Sequence, residues 1–182
     1  MTKVMLKNVR LSFPSLFKTE TYQGEDTGNY GASFLLPKSD TETKTKIDDI
    51  LAEILKKIKV KNIAQIPIDK MCVKDGDTLD TEKYPEYAGH WVIRAKNSVR
   101  PKTLNRDKSI IAEDDNILYS GCFVNASIEF WGYSKKSRGI SANLRGVQFF
   151  KDGERLSGNP VASDDEFDSF DDDFSDDDFN DL

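Results

Sequence analysis

Basic and aromatic side chains recur together in two stretches of this chain. One holds Arg94, Lys96, Arg100, Lys102, Arg106 and Lys108; the other holds Trp131, Tyr133, Lys135, Lys136, Arg138 and Arg145. Cations at such intervals can follow a line of phosphates. An aromatic ring offers any base a face to stack on, worth about 1–3 kcal/mol per base whatever its identity. Single-stranded nucleic acid asks for both properties at once. A simpler account has the lysines solubilise a sheet face and puts the aromatics in the core. It suits Trp91, which falls on an apolar parity, but it does not explain the clustering.

To present those residues on one surface the chain must place them on strands. In "VMLKNVRLSF" Met5, Val9, Leu11 and Phe13 share one parity while Asn8, Arg10 and Ser12 share the other, the pattern of a half-buried strand that Pro14 ends. "YGASFLLP" reads as a second strand stopped by Pro37, and the polar "KTETYQGEDTGN" between them is a hairpin-like loop, so the two strands pair. The period then changes. Ile47, Ile50, Leu51, Ile54, Leu55 and Ile58 make one apolar stripe of a helix from Asp40 to Lys59, with Ser39 and Glu42 as a capping box. Lys44, Lys46, Lys56 and Lys57 fall on its solvated faces, and the stripe packs on the sheet.

Beyond a turn-rich middle, "GHWVIRAKNSVRP" is a strand with Trp91, Ile93 and Ala95 on one side and His90, Val92, Arg94 and Lys96 on the other, a cationic face. "YSGCFVNASIEFWGY" sets Cys122, Val124, Ala126, Ile128 and Phe130 against Phe123, Asn125, Ser127, Glu129, Trp131 and Tyr133. The turn "SKKSRG" joins it to "ISANLRGVQFF" in a basic-tipped hairpin. At least five strands with one long inserted helix argue for a mainly β protein, a small closed or partly open barrel.

Catalytic chemistry finds little support. The chain has no phosphate-cradling Gly-rich loop, zincin helix or nucleophile elbow, and His90 is its one histidine. A carboxylate-only nuclease is the enzymatic reading left, and magnesium-dependent loss of DNA would reveal it. Cys72 and Cys122 stand far apart and lack zinc spacing, so reduced thiols and no metal or cofactor are expected. "KDGDTLD" partly matches a calcium loop, but its Gly and closing Glu are misplaced, and it reads as a surface turn.

Charge is divided unevenly. The chain carries 26 basic and 32 acidic residues, and Ser163–Leu182 alone holds ten Asp and one Glu with no Lys or Arg. Removing those eleven acids leaves 26 basic residues against 21, so residues 1–162 carry +5 while the whole carries −6. A basic body tied to an acidic tether points to a polyanion-binding surface. The length suits one domain, residues 1–160, followed by a tail, 161–182, too polar and too uniformly charged to order alone. No run approaches the roughly 20 apolar residues of a membrane span, nor the apolar core of a signal peptide, so a soluble, unexported protein is expected.

Several of these words recur together elsewhere. "VRLSFPSLF", "YGASFLLPK", "RPKTLNRD", "YSGCFVNASIEFWGY" and "GISANLRGVQFFKDGERL" resemble, in order and across nearly all of residues 4–158, a family of tailed-phage single-stranded-DNA-binding proteins. The resemblance implies an OB-fold, a five-stranded barrel with a helix, acting without enzymatic activity in phage DNA replication or recombination. It implies the cytoplasm of an infected bacterial host, and an acidic C-terminus that recruits replication proteins.

Residue types and parity nominate Arg94, Lys96, Arg100, Lys102, Arg106, Trp131, Tyr133, Lys135, Lys136, Arg138 and Arg145 for single-stranded DNA. In the tail, Phe167, Phe170, Phe174 and Phe179 set among Asp imitate base and phosphate. That suits an internal competitor for the DNA groove and a bait for partners, with Phe179, Asp181 and Leu182 most accessible. Without the tail, weaker duplex binding should appear. The rival reading is a protein-interaction or DNA-mimic module acting through the tail alone. Oligomeric state, a homo-oligomer included, is left open.

Overall fold

The structure, a computed structural model, describes residues 2–156 together with Asp168 and Ser169. In chain order it runs β1 (Thr2–Ser15), β2 (Thr21–Tyr22), β3 (Glu25–Asp26), β4 (Tyr30–Pro37), α1 (Thr41–Lys57), β5 (Val73–Asp75), β6 (His90–Asn97), β7 (Lys102–Leu104), β8 (Phe123–Tyr133) and β9 (Gly139–Lys151). β1 pairs antiparallel with β4 and β8, β4 with β6, and β8 with β9. A parallel contact between β6 and β9, with Lys96 opposite Asn143, closes the ring. The result is a five-stranded barrel of OB type, without free edges in the ring itself. β5 adds to β6 and β7 to β9 outside the ring, and β2 pairs only with β3 in a small ribbon.

Inward parity fills the barrel with Leu6, Leu11, Phe34, Ile93, Ile128, Phe130 and Leu144, all without exposure. The parity read for β8 and β9 holds: Val124, Ala126, Ile128, Ile140, Ala142 and Leu144 are buried, and the alternate residues are not. α1 packs against the barrel through Ile47, Leu51 and Ile54, with Ile58 just past its end. Its cap differs from expectation. The Asp40 carboxylate accepts from the Thr43 amide (3.1 Å) and hydroxyl (2.8 Å), so Asp40 rather than Ser39 starts the helix. A charged acceptor at the positive helix end outcompetes a serine one residue earlier. The helix stops at Lys57, and Lys59 takes φ 57.

β1 departs from strict alternation, and this corrects the side assigned to Met5 and Phe13. Its register with β8 shifts between Leu6 and Val9, where Asn8 has φ 52 and its amide donates to Asn125 Oδ1 at 3.0 Å. Such a bulge turns the strand by one residue. Leu6 and Val9 therefore both face inward, and Met5 is 52% exposed. A second shift lies between Ser12 and Ser15, where Phe13 has φ 47 and is 41% exposed.

The outer face of β6 is not uniformly cationic either. Val92 is buried with Leu35 and Tyr87 under Leu79, Tyr84 and Leu156, because the turn-rich segment folds back over β4 and β6. Trp91 packs against the core at one side while Lys38 and Lys44 stand over its ring at 4.8 and 4.1 Å. The aspartates of "KDGDTLD" have a cation of their own: Lys38 Nζ lies 2.6 Å from both Asp75 Oδ1 and Asp77 Oδ2. Those hydrogen bonds hold both carboxyls below their ordinary range and raise the Lys38 ammonium. Cys72 and Cys122 are free and buried, and desolvation pushes their thiols up to about 12 and about 11. Neither supplies a thiolate near neutral pH. The domain boundary expected at residue 160 lies outside the described residues.

Candidate nucleic-acid interface

β8 carries Trp131 and Tyr133 on its outward parity to the end of the strand. They line a cleft of about 510 Å³ with Arg94 and Lys96 of β6, Lys74 of β5, and Lys70. Glu20 and Asp69 also line it. The two rings lie 5.6 Å apart, tilted by 52°, and Trp131 Nε1 donates to Asn143 Oδ1 at 3.1 Å. Two glycines make this geometry possible. A Cβ on Gly132, between the rings, would stand 2.5 and 2.9 Å from methyls of Ile54 and Ile58, so α1 seats directly on the strand backbone there. A Cβ on Gly139, opposite Tyr133 in the hairpin, would collide with the Tyr133 ring. Desolvation, with Asp69 nearby, raises the Tyr133 hydroxyl and keeps it a neutral phenol.

Arg94 is held rather than free. It pairs with Glu20 from the loop before β2, and Gly31 of β4 leaves room for both side chains. Burial lowers its guanidinium from the ordinary value. An arginine nevertheless stays charged. A phosphate approaching it has to take the place of Glu20. Beside Arg94 the loop carries Tyr22, 70% exposed, and Glu20 and Arg94 also line a neighbouring recess with Phe13 and Tyr22.

A second cleft, of about 430 Å³, opens between β1, β7, β8 and β9. Met5, Leu104 and Val147 give it an apolar floor, and Lys102, Lys108 and Arg145 give it cations. Among the described residues no carboxylate lines it; Glu129 stands beside it with Oε2 3.3 Å from Arg145 Nη1. No aromatic ring of the described residues lines it either.

The nominated residues thus separate. Arg94, Lys96, Trp131 and Tyr133 meet in the first cleft, and Lys102 and Arg145 in the second. Lys135, Lys136 and Arg138 are exposed on the β8–β9 turn beyond Tyr133 and line neither. Arg100 lies over the Phe17 ring at 4.9 Å and donates to Thr103 Oγ1, while Arg106 lies over Phe150 at 5.5 Å. The first cationic run is not one line because β6 ends at Asn97 and the chain turns into β7. Phe167, Phe170, Phe174, Phe179, Asp181 and Leu182 lie outside the described residues. Sequence reasoning missed Lys70, Lys74 and Glu20. Lys74 sits in a strand of three residues, too short for a period, and Glu20 in a polar loop whose fold alone brings it to Arg94.

A closed five-stranded barrel with a cationic, aromatic cleft on its outer face defines an OB-fold protein of the kind that takes extended oligonucleotides. The chain belongs to the Enterobacter phage Enc34 ssDNA-binding protein family, whose sequence profile matches residues 2–180. It is 41% identical over 175 residues to protein p50 of Acyrthosiphon pisum secondary endosymbiont phage 1, covering 91% of this chain and 92% of that one. Among solved structures it is similar to the single-stranded DNA-binding protein of bacteriophage Enc34 in complex with ssDNA, at 33% identity and TM-score 0.73, covering 85% of this chain and 89% of that one. Its fold is also similar to gp2.5, a single-stranded DNA binding protein of bacteriophage T7, at 10% identity and TM-score 0.56, covering 90% and 99%. The family resemblance read from the sequence words is therefore correct, and so is the OB barrel it implied.

Proposed function

We propose that this protein binds single-stranded DNA with little sequence preference and serves phage DNA replication or recombination, without catalysis, in the cytoplasm of the infected host. The observation that carries the reading is the convergence of Trp131 and Tyr133 with Arg94, Lys96, Lys70 and Lys74 on one cleft. Stacking on rings and pairing of cations with phosphates are both indifferent to base identity, which favours sequence tolerance. Family membership and the Enc34 neighbour solved with ssDNA support it. The acidic tail competes for the groove, since the body carries +5 against −6 for the whole chain. Once displaced, its Phe residues and C-terminal Asp181-Leu182 are offered to replication proteins.

The test is an anisotropy titration of the intact chain with oligothymidine, a mixed-sequence strand and a matched duplex, each at low and physiological salt. Similar affinity for the two strands, weaker duplex binding and a steep fall with salt are expected. Strand affinities differing by orders of magnitude, or flat across salt, would overturn the groove. Protein lacking residues 163–182 should keep binding strands; a mimic acting through its tail would lose everything.

A further inference from the structure

Two further clefts continue the aromatic one. Arg94 and Glu20, which line the Trp131 cleft, also line a recess of about 450 Å³ with Phe13 and the exposed Tyr22. Phe13 in turn lines a cleft of about 630 Å³ beyond it, with Tyr84, Lys83 and Arg155. Each space shares a wall with the next, so one surface path joins Trp131 to Tyr84.

Strand register sets its direction and length. Trp131 stands opposite Ser141, and the parallel pairing of Lys96 with Asn143 puts Arg94 level with Ser141. Arg94 stands opposite Ser33, and Ser33 opposite Ser12, the residue before Phe13. The path therefore crosses β8, β9, β6, β4 and β1 at one level, with rings at its two ends and the Arg94 guanidinium at its middle. Four strand spacings come to about 19 Å. At about 3.4 Å per stacked nucleotide, about six nucleotides fill it.

Phe13 stands there against the parity of its strand. An unbroken pleat would turn it inward with Leu11; instead its backbone takes φ 47 and the ring is 41% exposed. A non-glycine residue holds that conformation at a cost, and such outliers gather at ligand-binding positions. The ring meets Tyr84 at 5.6 Å and 83°, an edge contact that covers at most one of its faces. Tyr84 is itself backed by Tyr87, stacked 5.1 Å away. An exposed phenyl so buttressed is a platform for a base. Charge adds little at this end. Glu86 and Glu154 line the cleft beside Lys83 and Arg155, and the Gly121 and Glu154 carbonyls engage Arg10.

We infer that a single strand held in the aromatic cleft continues across Arg94, displacing Glu20, and stacks a further base on Phe13 with Tyr84 behind it. This second stacking site, on β1, presupposes the single-strand reading above and lengthens the path that reading describes.

The experiment uses the intact chain and hexathymidine carrying 5-iododeoxyuridine at either its 5′ or its 3′ end, irradiated and mapped by mass spectrometry. One labelled end is expected to give adducts on Trp131 or Tyr133, and the other on Phe13 or Tyr84. Adducts from both ends that leave Phe13 and Tyr84 untouched would overturn the path. Anisotropy with hexathymidine then tests the ring itself. Phe13→Leu keeps an apolar contact with Tyr84 and removes the ring, so binding should weaken about 5- to 150-fold, by the same factor at every salt. Phe13→Trp should retain the parent's affinity. Equal losses in the two variants would make Phe13 a packing residue and overturn the site. Trp131→Ala is the reference: if it weakens binding and Phe13→Leu does not, the second site fails alone, and if neither matters the aromatic cleft fails with it.

Discussion

Replacing Trp131 by alanine and Lys96 by glutamine should separate stacking from charge in one salt series. Both side chains face the same cleft, but Trp131 presents a ring held by Asn143 while Lys96 is an exposed ammonium on β6. One lost stacked base, about 1–3 kcal/mol, weakens binding by about 5- to 150-fold. That ratio to the parent should be the same at every salt, because no counterion is released by a ring. One lost phosphate contact lowers the magnitude of the log–log salt slope on single strands by about 0.7. Between 50 and 200 mM salt, the Lys96→Gln penalty should then shrink by about 2.6-fold. Anisotropy of labelled oligothymidine across that range reads both. A Trp131→Ala penalty that fades with salt would refute the stacking role. So would a stability loss of the size a core residue gives, about 3–5 kcal/mol, since Trp131 is half-buried and outward.

Gly132→Ala should lower Tm, because a Cβ forced against Ile54 and Ile58 overpacks the helix seat, at a cost of about 1–3 kcal/mol, and it should weaken strand binding by moving the rings on either side. Thermal melts and the same titration check it; unchanged values would show that α1 does not set the cleft. Deleting residues 163–182 should tighten binding to single strands, add measurable duplex binding and abolish capture of replication proteins, read by titration and pull-down. A tail-deleted chain that binds no more tightly at low salt and still captures them would leave the tail as a solubility device. Asp75→Asn with Asp77→Asn should lower Tm at pH 7 and not at pH 2. The depressed carboxyls contribute stability that is present above about pH 4 and lost as pH falls through their folded values. The raised Lys38 ammonium sets the other limit, near and above about pH 10. A deficit of equal size at pH 2 would mean the asparagines fail for steric reasons.

Much of the barrel was legible because long strands buried on one face must alternate. β8 and β9, eleven and thirteen residues long, keep their parity almost throughout, and the helix stripe of Ile47, Leu51, Ile54 and Ile58 is the one buried. The misreadings in β1 share a cause. Alternation assumes an unbroken pleat, and β1 breaks its own at Asn8 and again near Phe13, where the backbone turns through positive φ. Met5 was read inward on that assumption. Val92 failed differently: its neighbours Leu35 and Tyr87 are remote in sequence, and only the fold of the turn-rich segment covers it.

The candidate site was legible as composition but not as geometry. Counting cations from Arg94 to Lys108 gives one basic run, yet the chain turns after Asn97, and the same six residues end up in the aromatic cleft, in the second cleft, or over the rings of Phe17 and Phe150. What separates the clefts is which neighbours are aromatic, and that depends on β8 more than on the basic run. Trp131 and Tyr133 bracket Gly132, and Gly139 faces them across the hairpin. The stretch that puts two rings on one face thus also carries the two residues without side chains that let α1 and the Tyr133 ring come close. Read together, W-G-Y and the glycine closing the turn identify a backbone approached on both faces. A cluster of basic residues carries no such information, because lysines tolerate almost any surface, whereas a glycine between two aromatics does not survive a filled neighbour.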